Sequence, residues 1–299
     1  MNIENFCALN KSIKFITDAG DKNIIPGGVI LLPAILEDGK VNWKKFEEII
    51  IESVRYLDSF IDTYKLNHNS IKLGISGLAD LFMFLNIRYG SIESISLIIS
   101  IMNILLMKAY ETSITLGTES IDSTKNLIDS KILNFLPVTV KSKYDKFGIK
   151  HSNLIGLDVD DISDTRYSRG ISPILYKAYK NKEGQYYIHP KFKNLLMLGQ
   201  KKDWCIDIWD LNIEDYLNIY CIVKKYSDQM MVDYIPLTKL KNLNLKFYIK
   251  ELSSIKILHD DDDDDIIKVS DGEALEYVVS KMIINIIRAE DLVDCNCGG

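Results

Sequence analysis

The sequence predicts an α/β protein, in which long helices alternate with short strands along a chain of 299 residues. In residues 42–64, apolar side chains recur at spacings of three and four, which is the pattern of an amphipathic helix. Residues 91–117 and 213–228 form two further helical stretches. The short apolar runs between and around these helices predict strands at residues 1–15, 152–157, 171–179 and 245–249.

Local signals refine the helix boundaries. Asn42 is a suitable N-cap for the first long helix, and Gly117 suits the end of the 91–117 helix. Further helices are predicted at residues 77–85 and 273–288. Residues 120–150 are polar, lack a clear period and are expected to form a loop.

The composition excludes several classes of protein. A net charge of −6 gives no basic face for nucleic acid, so no nucleic-acid partner is expected. The five cysteines are odd in number and irregularly spaced, which argues against a secreted disulfide framework. No zinc-type cysteine pattern is present, so neither a metal nor a cofactor is predicted.

The sequence also predicts a cytoplasmic protein without a membrane partner. The most apolar run, residues 92–106, contains Glu93 and is shorter than the roughly 20 residues that a membrane span needs. The first fifteen residues lack the basic and apolar regions of a signal peptide.

A run of six aspartates, Asp260 to Asp265, marks a solvated loop because like charges repel each other. A calcium site is the alternative, but the run lacks the alternating ligands and the glycine turn of such sites. The predicted organisation is a domain at residues 1–255, an acidic loop at 256–270, and a C-terminal helix with a cysteine-containing tail at 271–299.

Residues 41–61 and 72–91 carry a specific resemblance. The second stretch, KLGISGLADLFMFLNIRYGS, is similar to the GxxGLADxFxxxxxxYxS motif of ribonucleotide reductase large chains. The preceding helix resembles that family's DWxxLxxxVxxxVRxLDxxID pattern. The matching residues are Trp43, Val54, Arg55, Leu57, Asp58, Ile61, Asp62, Gly74, Gly77, Leu78, Ala79, Asp80 and Tyr89.

Three more segments, at residues 5–15, 169–192 and 225–237, resemble the same family in the same order, and residues 246–250 add a weaker match. The resemblance implies the second half of a ten-stranded α/β barrel, with helices outside and an acidic C-terminal extension. A lone half-barrel has open strand edges, so we expect an oligomer or an obligate protein partner.

The family's chemistry is expected to be incomplete in this chain. Its radical cysteine and NxCxE finger loop correspond to sequence before Met1, and its strand cysteine aligns with Glu4. Cys7 lies three residues further on and, in a strand, faces the opposite side. In another register, residues 5–9 form the NxCxE element with Leu9 at the glutamate position. Cys7 is otherwise a small apolar strand residue.

The family's phosphate-binding segment corresponds to residues 150–163. Asp158, Asp160 and Asp161 stand where small residues cradle phosphate, and three carboxylates would repel a diphosphate. Ser172 replaces the glutamate of the family's SGIEP motif. A metal site formed by these aspartates with His151 is an alternative to a solvated acidic loop.

The C-terminal tail resembles the family's redox tail. Cys295 and Cys297 would exchange thiols with an active-site disulfide, although one residue separates them instead of two and acidic neighbours would raise the pKa of both thiols. An idle tail is the alternative. Tyr248 corresponds to one member of the family's radical-relay tyrosine pair, and Phe247 occupies the other position, which breaks the relay.

Two hypotheses follow from these matches and departures. The first is a pseudoenzyme, with no intact catalytic residues, that acts as a scaffold or binding partner. The second is the distal piece of a split reductase that makes deoxyribonucleotides together with a second chain. A structural subunit unrelated to nucleotide metabolism is a third possibility.

Overall fold

A computed structural model describes residues 12–16, 23–119, 128, 130–157, 168, 170–173, 178–181, 183–188, 190–197, 211–228, 233–236, 255–258, 266–268, 270 and 273–281. The strands are β1 Ile13–Ile16, β2 Gly27–Leu31, β3 Leu36–Glu37, β4 Lys40–Val41, β5 Lys72–Ser76, β6 Ala178–Asn181, β7 Tyr186–Ile188, β8 Asp233–Pro236, β9 Ile255–Leu258 and β10 Ile266–Lys268. The helices are α1 Trp43–Tyr64, α2 Leu78–Leu85, α3 Ile92–Glu119, α4 Ser130–Leu133, α5 Val138–Phe147, α6 Pro190–Met197, α7 Ile213–Tyr226 and α8 273–281.

The strands of the described residues form four separate sheets, and none of these closes into a barrel. The sheet nearest the candidate site has the order β1-β2-β5, with β1 antiparallel and β5 parallel to β2. Ile155 extends it by a parallel bridge to Leu73 on the outer edge of β5. The alternation of helices with a partly parallel sheet confirms the α/β class.

The prediction for the first long helix is confirmed. The side chain of Asn42 accepts a hydrogen bond from the backbone N–H of Lys45 at 2.9 Å, which caps α1. Lys65 ends the helix in the left-handed conformation with φ of 50°. One face of α1 is buried against α3 and β2. Its buried apolar residues are Phe46, Ile49, Ile50, Val54, Leu57 and Ile61.

Two glycines of the 72–91 stretch are required by geometry. A Cβ on Gly74 in β5 would lie 2.6 Å from the carbonyl oxygen of Gly156, so only glycine allows this close approach of two backbones. Gly77 starts α2 with φ of 78°, a conformation that side chains disfavour. The spacing of these glycines therefore reflects packing of β5 against Gly156 and hydrogen bonding of the α2 start to Ser168 and Gly170.

The helix predicted at residues 91–117 is confirmed as α3, and it extends beyond the apolar run of residues 92–106. α3 spans 28 residues, and its Ile92–Thr118 part meets the length and composition of a membrane span, which on its own is weak evidence. A core helix meets the same test, and α3 packs against α1, α5 and α7. Its fully buried residues include Ile98, Ile101, Met102, Leu105 and Ala109.

Some local predictions were wrong. The loop expected at residues 120–150 contains α4 and α5, which are short and bury few side chains, so their helical period is weak. The strand expected at 152–157 is only the bridge at Ile155, although backbone hydrogen bonds join residues 152–156 to residues 69–73. Residues 171–173 are not a strand, and the strand begins at Ala178. Residues 1–11 and 245–249 lie outside the described residues.

The C-terminal elements form a second three-stranded sheet. Its order is β10-β6-β7, with both pairs antiparallel. The helix predicted at 273–288 is observed at 273–281, and its remaining residues lie outside those described. β9 and β10 flank the aspartate run, which itself lies outside the described part of the chain.

Candidate functional site

The candidate site is built around residues 150–157, which run beside the outer edge of β5 and correspond to the start of the phosphate-binding segment. Backbone hydrogen bonds join Leu73 N–H to the carbonyl of Leu154 at 2.8 Å and Gly156 N–H to the carbonyl of Leu73 at 3.3 Å. In α/β proteins, ligands bind beyond the carboxyl ends of parallel strands. The segment therefore leads to the edge of the sheet where a ligand is expected.

An ionic cluster fixes the beginning of this segment to α1. Lys150 Nζ lies 2.8 Å from Asp58 Oδ1 and 3.3 Å from Asp62 Oδ2. His151 Nε2 lies 3.2 Å from the same Asp58 oxygen, and the imidazole is fully buried. Asp62 is mostly exposed, whereas Asp58 is buried. Asp58 is therefore the buried anion that both Lys150 and His151 contact.

The electrostatics of this cluster favour the ion pair. Burial alone would raise the pKa of Asp58, but the hydrogen bonds and charges of His151 and Lys150 outweigh it and hold that pKa below its ordinary value. For Lys150, burial would lower the pKa of the ammonium, and the contacts with Asp58 and Asp62 raise it instead. Both groups are therefore charged at neutral pH.

Ser113 on α3 completes an arrangement that resembles a Ser-His-Asp nucleophile set. Its hydroxyl lies 2.8 Å from His151 Nδ1 and accepts the backbone N–H of His151 at 3.2 Å. The two ring nitrogens of His151 thus face Ser113 and Asp58. Ser113 is 0% exposed, however, so no substrate carbonyl could reach the hydroxyl. The set is a structural network that joins α1, α3 and residue 151.

Asp228, just after α7, fixes the middle of the segment. Its Oδ2 accepts the backbone N–H groups of Leu154 and Ile155, both at 3.0 Å. Its own backbone N–H donates to the carbonyl of Ile155 at 2.9 Å, and Tyr110 on α3 donates to its carboxylate at 3.3 Å. One side chain thus clips residues 154–155 to the end of α7.

Asp80 fixes the far side of the site, at the start of α2. Its buried carboxylate accepts the backbone N–H of Ser168. The N–H groups of Gly77 and Leu78 donate to the carbonyls of Ser168 and Gly170, at 2.8 and 3.2 Å. These two donors at the helix N-terminus are therefore already occupied by protein carbonyls and cannot also hold a phosphate oxygen.

The residues proposed from sequence fall into two groups. The structure places Lys150 and His151 together in the ionic cluster and describes Ser172 as half-buried. The other candidates lie outside the described residues, and they are Glu4, Cys7, Leu9, Asp158, Asp160, Asp161, Phe247, Tyr248, Cys295 and Cys297. Among the described residues, no group of three or more His, Cys, Asp or Glu could hold a metal ion.

Sequence reasoning recognised Asp58 and Asp80 as motif residues but did not assign them a role, and Asp228 was only part of a matched segment. All three turn out to hold described residues of the 150–157 segment or Ser168 in place. For Asp58 and Asp80, their place in the motif that contains Gly74 and Gly77 was the available signal. The partners of all three lie between 73 residues (Ile155 to Asp228) and 93 residues (Asp58 to His151) away along the chain, which no local pattern reveals.

Comparison with known proteins agrees with this geometry. Residues 28–204 match the family model described as ribonucleotide reductase, barrel domain. Over 102 residues, the chain is 33% identical to a vitamin B12-dependent ribonucleoside-diphosphate reductase of Mycobacterium tuberculosis, covering 31% of this chain and 15% of that protein. Over 150 residues, it is 26% identical to the ribonucleoside-diphosphate reductase large chain of Schizosaccharomyces pombe, covering 42% of this chain and 18% of that protein.

The matched part thus spans less than a fifth of the length of either relative. The family model nevertheless covers more than half of this chain, including Gly74, Gly77, Asp58, Asp80 and residues 150–157. The chain therefore belongs to the ribonucleotide reductase large-chain family, through that family's barrel domain.

Proposed function

We propose that this chain is a reductase-like protein that retains part of the barrel scaffold and acts by binding, without reducing ribonucleotides on its own. In this proposal the fold corresponds to the second half of the family's ten-stranded barrel, followed by an acidic extension. Two observations support it. The first is the contacts made by the residues that match the family's motifs, and the second is the set of aspartates in the segment that corresponds to the family's phosphate-binding segment.

The observation that carries the proposal is the use of the motif acids. Asp58 pairs with Lys150 and His151, Asp80 accepts a backbone N–H, and Asp228 accepts two backbone N–H groups. Asp58 is 6% exposed and Asp80 is 0% exposed. These contacts stabilise the scaffold, and selection for folding alone would preserve them.

The substrate segment differs from the scaffold in its chemistry. Asp158, Asp160 and Asp161 follow Leu157 directly, at the point where the family binds phosphate. A diphosphate carries two or more negative charges, so each added carboxylate within a Debye length of about 8 Å weakens its binding. Repulsion at this position argues against substrate binding in the family's manner.

A protein partner is the second half of the proposal. Within the described residues, β1 pairs only with β2 and β7 pairs only with β6, so each sheet has an edge strand. Exposed strand edges are normally covered in stable proteins. We expect a partner chain or a second copy to cover at least one of these edges.

The test is capture of the tagged full-length chain from its native host under mild conditions. The proposal expects a stoichiometric protein partner, or a self-associated form on sizing chromatography with light scattering. A chain that elutes as a monomer and retains no protein from its host would contradict the binding role. Capture by an unfolded control, prepared by heating, identifies nonspecific partners.

The second candidate is the distal piece of a split reductase that reduces ribonucleotides with another chain. The cysteines Cys295 and Cys297 favour it. The test is reconstitution with a first-half reductase chain, a radical source, a dithiol and a ribonucleotide. Deoxyribonucleotide formation that is lost in Cys295→Ser and Cys297→Ser would establish this function, and its absence in every combination would eliminate it.

A further inference from the structure

The outer side of α3 carries an uncharged strip of side chains within residues 92–107, here called the α3 stripe. Its members are Ile92, Ser96, Ile99, Ser100, Asn103 and Met107. Their positions differ by four, three, one, three and four residues, which places all six within a strip of helix surface about 100° wide. Ile92 is 81% exposed, the three polar members are exposed, and Ile99 and Met107 are half-buried.

The composition of the α3 stripe differs from that of an ordinary solvated helix face, which carries charged side chains. Only Glu93 is charged among residues 92–107, whereas 26% of the whole chain is charged. The opposite side of the same helix is already buried in the core through Ile98, Met102 and Leu105. A depletion of charge around exposed apolar residues is typical of the centre of a protein interface. The stripe therefore has the composition of a contact surface.

The order of side chains along the stripe is nearly the same in both directions. On either side of the midpoint between Ile99 and Ser100, a small polar side chain at position 96 matches Asn103, and the apolar Ile92 matches Met107. In a contact with two-fold symmetry, each residue of one copy meets its match on the other copy. A two-fold axis through this midpoint would pair all of these positions in two antiparallel helices.

We propose that the α3 stripe is a contact surface between two copies of this chain, whose α3 helices lie antiparallel about a two-fold axis near Ser100. Ile92 packs against Met107 of the partner subunit, and Ser96 lies opposite Asn103 of the partner subunit, where hydroxyl and amide can form a hydrogen bond. The small side chain of Ser100 at the centre allows the close approach of the two helix axes. The proposal deepens the binding role proposed above, on which it rests, by naming a second copy as the partner.

A lipid surface is the other occupant that an apolar helix face could suit. Helices that lie on membranes carry Lys or Arg beside their apolar face. The only basic residue of α3 is Lys108, and its ammonium pairs with Glu47 of α1 at 2.9 Å. The charge that remains next to the stripe is the acidic Glu93, which anionic lipids would repel. These charges favour a second copy over a lipid surface.

Sedimentation velocity of the full-length chain tests the contact. Residues 92–107 span about 23 Å of helix, so one helix pair is smaller than a standard interface, and the dimer should dissociate on dilution from about 100 to 1 µM. Ser100→Lys should weaken dimerisation at least about tenfold, because two ammonium groups then meet near the axis. Thr115→Lys is the matched control, since it adds the same charge at an exposed position of α3 outside the stripe and should leave the dimer unchanged.

Pairs of charges test the symmetry and the direction of the helices. An equimolar mixture of Ser100→Lys and Ser100→Glu chains should dimerise, although neither variant does so alone. Ser96→Lys combined with Asn103→Lys should abolish the dimer, whereas Ser96→Lys combined with Asn103→Glu should retain it, because these two positions face each other across an antiparallel pair. Equal effects of the two double variants would overturn the antiparallel arrangement.

Three other results would overturn the proposal. A monomer at every concentration, or a dimer that Ser100→Lys leaves unchanged, would show that the stripe is not a contact between copies. Co-sedimentation with phosphatidylcholine vesicles that Ser100→Lys abolishes would identify a lipid surface instead. Capture of a different host protein that is lost in Ser100→Lys would exclude a second copy as the occupant but would leave the proposed binding role intact.

Discussion

Asp58→Ala is expected to destabilise the fold far more than its charge alone would suggest. The substitution leaves the fully buried imidazole of His151 without its acceptor and removes the nearest carboxylate, 2.8 Å from Lys150 Nζ. Breaking a buried ion pair costs about 3–5 kcal/mol. Because Lys150 keeps Asp62 at 3.3 Å, we expect about 3 kcal/mol.

Urea unfolding followed by tryptophan fluorescence measures this loss at neutral pH. Asp62→Ala is the matched control, because it removes a carboxylate from the same lysine on the same helix. The Asp62 side chain is 64% exposed, so its loss should cost about 0–1 kcal/mol. Equal losses in the two variants, or a loss below about 1 kcal/mol for Asp58→Ala, would refute the assignment of Asp58 as the buried anchor.

Three further predictions follow from the same contacts. The folded pKa of Asp58 lies below its ordinary value of 3.8, so the stability that its ionised carboxylate contributes is present above pH 3.8 and is lost as the pH falls through the folded pKa. The urea midpoint should therefore fall less steeply with decreasing pH in Asp58→Asn than in the unmodified chain. Gly74→Ala places a Cβ 2.6 Å from the Gly156 carbonyl oxygen and should lower the free energy of unfolding by about 1–3 kcal/mol in the same urea assay. Gly117→Ala is the control within α3, where the new Cβ would lie 3.4 Å from its nearest neighbour. It should be neutral or stabilising by up to about 1 kcal/mol. Asp228→Asn should cost about 1–3 kcal/mol and speed hydrogen exchange at Leu154 and Ile155, and unchanged exchange there would argue against the clip.

The helices were predictable where periodicity and capping agree. α1 combines an apolar stripe with a working Asn42 cap, so both its existence and its start followed from local signals. α5 was missed because only Val140 is buried along it, which leaves almost no apolar period. The helix predicted at residues 91–117 is likewise observed, as α3 over Ile92–Glu119, because its apolar residues and Gly117 mark its extent.

The candidate site was less predictable than the helices. The motif identified the family but not what its acids do, because their partners are distant in sequence: Lys150 lies 88 residues from Asp62, and Leu154 lies 74 residues from Asp228. Only the folded chain shows that these acids contact residues 150–155 and Ser168. The difference between the substrate segment and the family's pattern, in contrast, could be predicted from Asp158, Asp160 and Asp161 alone.

Calorimetric titration of the full-length chain with a ribonucleoside diphosphate tests the central claim most directly. For the unmodified chain, the account predicts that the ribonucleoside diphosphate binds with a Kd above about 1 mM or not at all. Replacing Asp158, Asp160 and Asp161 with alanine should strengthen phosphate binding, whereas replacing Asp262, Asp263 and Asp264, which removes the same charge elsewhere, should not. Binding of the diphosphate by the unmodified chain at micromolar concentration would contradict the claim that substrate recognition has been lost.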